Sequence, residues 1–156
     1  MKYKKYQLEE TFEESFSLIA IHSSLEDFQL AYFINKNCAT YFKRNHDLYS
    51  PYLKQCLKGL VWKNDHDKEN HWHLFSNKYE GKTEDSKQVS QLFFGEKLEL
   101  EKFVLPEFKL VNYFIKKPGD ITNETFIYKL KEVSEIQIAY SIPEKNIKSY
   151  QNIIFE

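Results

Sequence analysis

Residues 16–44, FSLIAIHSSLEDFQLAYFINKNCATYFKR, constrain the fold of this chain more than any other stretch. Phe16, Leu18 and Ala20 alternate with Ile19 and Ile21, so both faces of the segment are apolar. A strand of that kind belongs inside a sheet that is covered above and below. Ser23 and Ser24 interrupt it. Ser23 with Glu26, or Ser24 with Asp27, has the spacing of a reciprocal side-chain cap for the free N–H groups that open a helix. From Leu25 the apolar period lengthens to three or four residues through Phe28, Ala31 or Tyr32, and Ile34, the mark of an amphipathic helix. Past Asn37, TYFKR returns to β-prone residues, and the whole reads as a β-α-β unit.

The rest of the chain supplies strands and one more helix. Residues 2–10 read as an amphipathic edge strand or a loose arm. HDLYSPYLKQ reads as a loop, marked by Asn45, Asp47, Ser50 and Pro51. LKGLVWK (57–63) and HWHLFSN (71–77) read as strands joined across the charged NDHDKEN, an antiparallel hairpin. GKTEDSK (81–87) is the most polar loop. QLFF (91–94) and LELEKFVL (98–105) form a further hairpin across Gly95 and Glu96, and Val111, Tyr113 and Ile115 mark a strand beyond Pro106. Pro118, Gly119 and Asp120 break the chain before a helix from about Asn123 to Val133. Thr122 is its N-cap, Ile121 and Phe126 occupy the positions of a hydrophobic staple, and Leu130 and Val133 continue the stripe. IQIAYSI (136–142) predicts a strand with Ile136, Ile138, Tyr140 and Ile142 on one face and Gln137, Ala139 and Ser141 on the other. NIIF (152–155) is a last strand or a terminal tuck.

The expected architecture is therefore α+β: a single domain over 1–156, with a mostly antiparallel, bent sheet and both helices packed on one face. Terminal β-α-β units flank central hairpins. With 22 basic and 23 acidic residues no general field favours nucleic acid or an anionic membrane surface. Cys38 and Cys56 are the only cysteines and form no C-x-x-C pair. MKYKKYQLEE leads into no apolar run long enough for a signal peptide or a membrane span, so the expected setting is cytoplasmic.

Three segments together resemble the bacterial family called IPExxxVDY: IAIHSSLEDFQLAYFINK, LPEFKLVNYFIK at 105–116, and AYSI followed by IKSYQNIIF. The resemblance runs through almost the whole chain in the same order. Within the motif Pro106, Glu107, Val111 and Tyr113 match, Leu105 replaces Ile, and Asn112 replaces Asp. If the family carboxylate does chemistry, this member lacks it; if it accepts a hydrogen bond, Asn112 still accepts one. The resemblance implies no activity.

Five residues stand out as binding candidates: Glu107, Tyr113, His22, Glu26 and Asp27. His22, Glu26 and Asp27 fall near a helix N-terminus, where N–H groups and the dipole favour an anion, but two carboxylates there repel a phosphate and serve as caps. Glu107 follows a proline at a strand break with Tyr113 six residues on. An acid–base pair with a raised Glu pKa is one reading; a carboxylate that satisfies backbone N–H groups at the bend, or pairs with a lysine, is the other. His71 and His73 share one strand face as two zinc ligands would, with Asp65, His66 and Asp67 near the turn, against the alternative of a solvated hairpin tip. YFKR (41–44) carries aromatic and basic residues, but neighbours on a strand point to opposite faces, which favours core packing over base stacking.

There is no phosphate loop, no nucleophile elbow and no H-E-x-x-H, and no catalytic residue, metal or cofactor is assigned. The reading favoured by the sequence is a non-enzymatic interaction domain, with a protein partner or a second copy of itself, and no nucleic acid or membrane. Two short helices cover only part of a large aromatic sheet, and exposed faces and edges tend to be paired. The alternatives are a small enzyme with Glu107 or His22 as general base, and a metal-binding protein using His71 and His73.

Overall fold

The computed structural model describes residues 15–44, 48–63, 71–80, 102–119 and 124–156. The doubly apolar segment forms β1 (Phe16–Ser23), with Leu18, Ile19, Ala20 and Ile21 all buried. It is followed by α1 (Asp27–Cys38), and then by a hairpin of β2 (Leu48–Ser50) and β3 (Gln55–Leu57). β4 (Gly59–Lys63) pairs with β5 (His71–Ser76) in the expected hairpin, with Trp62 opposite Trp72. β6 (Lys78–Tyr79) pairs with β7 (Lys102–Phe103). β8 (Tyr113–Pro118), α2 (Glu124–Lys131) and β9 (Ile136–Ile142) follow, and the tail turns twice through short 3-10 segments at Glu144–Asn146 and Tyr150–Ile153.

The main sheet has five strands in the order β4-β5-β8-β1-β9, every neighbouring pair antiparallel. The fold is α+β. β8 and β9 run parallel on either side of β1 and are joined by α2, a split β-α-β unit. The other unit, β1–α1, ends in a backbone bridge rather than a full strand, Lys43 pairing with Val61 on the outer side of β4.

Both helices lie on one face of this sheet. Leu30, Ala31 and Ile34 of α1 and Phe126, Ile127 and Leu130 of α2 pack on Ile19, Ile21, Leu60, Leu74, Tyr113 and Ile115. The opposite face is not bare, as the arithmetic of two short helices suggests. Leu48 and Leu57 of the hairpin, Val104, Leu105 and Val111 of the loop before β8, and Ile147 and Ile153 of the tail cover Leu18, Ala20, Phe75 and Phe114. One sheet thus carries two cores. The segment read as a loop around Ser50 and Pro51 is the β2–β3 hairpin, laid so close that a Cβ on Gly59 would meet Leu48 Cδ1 at 2.5 Å.

Two local expectations change, and a third, left between two readings, is decided. Ser23 does not cap α1: its N–H donates to Asn112 and its hydroxyl to the Glu135 carbonyl, while Glu26 is the N-cap and its N–H donates to Gln29 Oε1. In β9 the two-residue alternation breaks, because Ser23 faces Ile136 while His22 faces Ile138. The extra residue, Gln137, is a bulge that returns Ile136 to the helix side with Ala139 and leaves Ile138 exposed. NIIF is a tuck, with Ile153 fully buried. The expectations for residues 2–10, 64–70, 81–87 and 91–101, and for Ile121 and Thr122, lie outside the described residues.

Candidate functional site

The motif-like residues gather along a loop, Val104 to Asn112, which is organised around a residue the sequence does not advertise. Asn77, fully buried just after β5, donates its side-chain amide to the carbonyls of Phe108 (2.7 Å) and Val111 (3.1 Å) and accepts the Leu105 N–H (2.9 Å). Its backbone adds an N–H to the Asn112 carbonyl and an acceptor for the Val104 N–H. Five hydrogen bonds at one residue fix the loop's shape. Buried loop backbone demands such partners, yet an asparagine at the end of the strand read over 71–77 carries no local mark of that role.

Glu107 sits half-buried in the 3-10 turn Pro106–Phe108. Its Oε2 accepts the backbone N–H groups of Lys148 (2.7 Å) and Ser149 (2.6 Å), so the carboxylate pins the tail to the loop. Burial pushes its pKa up. The N–H of Glu107 itself, the N–H and hydroxyl of Ser149 and the N–H of Lys148 outweigh that and hold it below the ordinary value. A general base at neutral pH needs the reverse shift. The arrangement is that of a carboxylate satisfying backbone donors. Lys116 Nζ on the Ile153 carbonyl and Asn152 Nδ2 on the Val104 carbonyl hold the same tail.

Tyr113 is buried at the start of β8 and donates its hydroxyl to the Leu25 carbonyl at 2.6 Å. Burial, with Asp27 and Glu26 nearby, pushes its pKa up to about 12. Asn112 accepts the Ser23 N–H at 2.9 Å, so its amide oxygen performs the hydrogen-bonding task open to Asp at that place. Glu107 and Tyr113 therefore serve different segments, the tail and the β1–α1 turn.

The second constellation also separates. Asp27 pairs with Arg44, and Glu26 caps α1. His22 continues the Leu18–Ala20 face of β1, away from the helices, where Nε2 lies 3.2 Å from the Tyr140 hydroxyl. His71 and His73 do share a face, with ring centroids 6.5 Å apart. Among the described residues no group of three His, Cys, Asp or Glu side chains could hold a metal; Asp65, His66 and Asp67 lie outside them. In YFKR, Phe42 is core and Tyr41 is exposed under Lys43 Nζ, as strand alternation required.

A cleft of about 240 Å³ opens elsewhere, between Cys38, Thr40, Trp62, Trp72, Thr125, Phe126 and Lys129. Trp62 and Trp72 meet edge-to-face at 4.9 Å and Phe126 closes on Trp72 at 5.2 Å. Its thiol is a poor nucleophile, since burial pushes Cys38 up to about 11. None of Glu107, Tyr113, His22, Glu26 and Asp27 lines it. The two tryptophans facing across a predicted hairpin were the available signal.

No family model, curated protein or solved structure matches this chain.

What the molecule does offer is an edge. Among the described residues β9 pairs only with β1, whereas the opposite edge, β4, already receives Lys43 through two backbone bonds with Val61 (2.9 and 3.0 Å). β9 carries no charged residue, and Ile138 and Tyr140 on it are 53% and 38% exposed. No helix among the described residues is long and apolar enough to cross a membrane.

Proposed function

We propose that this chain is a non-enzymatic interaction domain of the IPExxxVDY family, acting in the cytoplasm by binding protein through the β9 edge. One observation carries the reading: an uncharged seven-residue edge strand with exposed Ile138 and Tyr140. Proteins normally blunt such an edge with lysine, proline or a covering segment, because its unpaired backbone groups invite another strand. The motif-like residues support the reading from the other side. Glu107 through Oε2, Asn112 through Oδ1 and Tyr113 through its hydroxyl each bind backbone groups, which makes them fasteners of the fold behind that edge.

The test is amide hydrogen exchange on the purified chain, dilute and concentrated, and on the chain recovered in complexes from its native lysate. Slowed exchange at residues 138–142 in a concentrated or complexed state is the expected result. Exchange that stays the same at those residues in all three would overturn the proposal.

A further inference from the structure

Among the described residues the outer edge of β9 is unpaired; such an edge accepts many strands in principle, but the chemistry of β9 selects one. We infer that β9 pairs antiparallel with β9 of a second copy of this chain, about a two-fold axis through Ala139, so that two five-stranded sheets become continuous. This rests on the interaction-domain reading above and names its partner.

The partner follows from the symmetry of the strand. In an antiparallel pair, facing residues lie on the same side of the sheet, so a two-fold axis normal to the sheet passes through a residue, not between two. About Ala139, the central residues Ile138 and Tyr140 match in chemical type, while the bulge puts Ile136 and Ile142 on opposite faces. Ile138 faces the second copy's Tyr140, and Tyr140 faces its Ile138. The alanines meet at the axis. The two side chains that β9 leaves exposed, at 53% and 38%, are each covered by the other's counterpart. A β-branched residue opposite an aromatic is a favourable cross-strand pair.

The other registers do less. An axis through Ile138 leaves that exposed isoleucine against only its own copy and sets Tyr140 against Ile136, on the helix side. The Ala139 axis meets such a mismatch only at its outermost pair, Ile136 against Ile142. An axis through Tyr140 sets Ile138 against Ile142, already only 5% exposed. The assembly also closes. Each copy spends its β9 edge in the pair, and among the described residues the far edge already receives Lys43 at Val61, so the two-fold pair closes as a dimer. Two short strands bury less than a standard interface, which places the dissociation constant on the order of 10 μM.

The experiment is sedimentation velocity of the full chain from about 1 to about 200 μM, a range that brackets such a constant. The wild type is expected to pass from monomer to dimer. Ile138→Lys and Tyr140→Glu, both at exposed positions and checked for unchanged far-UV circular dichroism, each weaken association at least ~10-fold. The double variant Ile138→Lys/Tyr140→Glu places lysine opposite glutamate twice across the axis and recovers it. The reversed pair, Ile138→Glu with Tyr140→Lys, repeats the pattern should one single variant fold poorly. A wild type that stays monomeric overturns the inference, as does a double variant no better than the singles. A dimer indifferent to all these changes sinks the β9 pairing yet leaves the interaction-domain reading intact; that reading falls only with unaltered amide exchange in every state.

Discussion

The Oε2 atom of Glu107 accepts the backbone N–H of Ser149 at 2.6 Å, across 42 residues of chain. The same oxygen takes the Lys148 N–H, so one carboxylate locks the tail onto the loop, and both help cover the second face of the sheet. Hydrogen bonds to a charged acceptor are worth more than neutral ones.

Glu107→Ala is expected to cost about 2–3 kcal/mol in urea unfolding, and Glu107→Gln, which keeps an acceptor but not the charge, about 1 kcal/mol. The pH dependence has a definite sign. The folded pKa lies below the ordinary 4.5, so the charged form is the one the fold stabilises. The gap between wild type and Glu107→Gln is constant above pH 4.5 and closes as pH falls through the lowered folded value. A gap unaltered down that range would mean the carboxylate does not hold the tail as a charged group.

Asn77 is fully buried and makes three side-chain hydrogen bonds to the backbone of the 105–111 loop. Asn77→Ala strands two carbonyls and one N–H at once, with an expected loss of about 3–4 kcal/mol. Asn77→Asp fares no better, since it sets a carboxylate against two carbonyl oxygens that need a donor. Chemical denaturation measures both. A loss under about 1 kcal/mol would remove Asn77 as the organiser of the loop.

How much of this is legible in the sequence depends on how local its cause is. β1 and α1 are readable because the apolar period changes within a few residues of Ser23. The β4–β5 hairpin is readable because two β-rich runs flank a charged turn. β9 is readable as a strand but not as faces, because the bulge at Gln137 exists only against its partner β1. The cover of the second face hides in the stretch around Ser50 and Pro51. Those residues punctuate like a loop, yet Leu48 and Leu57 meet opposite one another once the hairpin closes. Glu107 is legible as a carboxylate at a bend, while its donors at Lys148 and Ser149 are too distant in sequence to be guessed. Asn77 is silent, since nothing local separates a buried hub from any asparagine at the end of a strand.

The two thiols are expected to differ sharply. Cys56 is exposed, whereas Cys38 is buried at the end of α1 with its pKa pushed up to about 11 by burial, and Glu132 adds to this against Lys129. At pH 8 only on the order of a thousandth of Cys38 is thiolate, and burial blocks access as well. Alkylation with iodoacetamide should therefore modify one thiol quickly. Cys56→Ser abolishes the fast phase, and denaturant exposes the second thiol. Equal rates in the folded protein would place Cys38 outside the core.

Tyr113 ties β8 to the β1–α1 turn through its hydroxyl on the Leu25 carbonyl. Tyr113→Phe keeps the ring in the core and removes only that bond, so about 1–2 kcal/mol of stability is expected to go. The phenol also predicts an alkaline signature. Its folded pKa is raised from 10.0 to about 12 by burial, with Asp27 and Glu26 adding to the shift. The neutral form is thus favoured in the fold, and its contribution is complete below pH 10 and lost as pH rises through about 12. Stability curves of wild type and Tyr113→Phe should run parallel up to pH 10 and converge above it. Curves that converge already below that point would mean the hydroxyl is solvated, and the turn carrying Glu26 and Asp27 would then be held by Asn112, Ser23 and the Asp27–Arg44 pair.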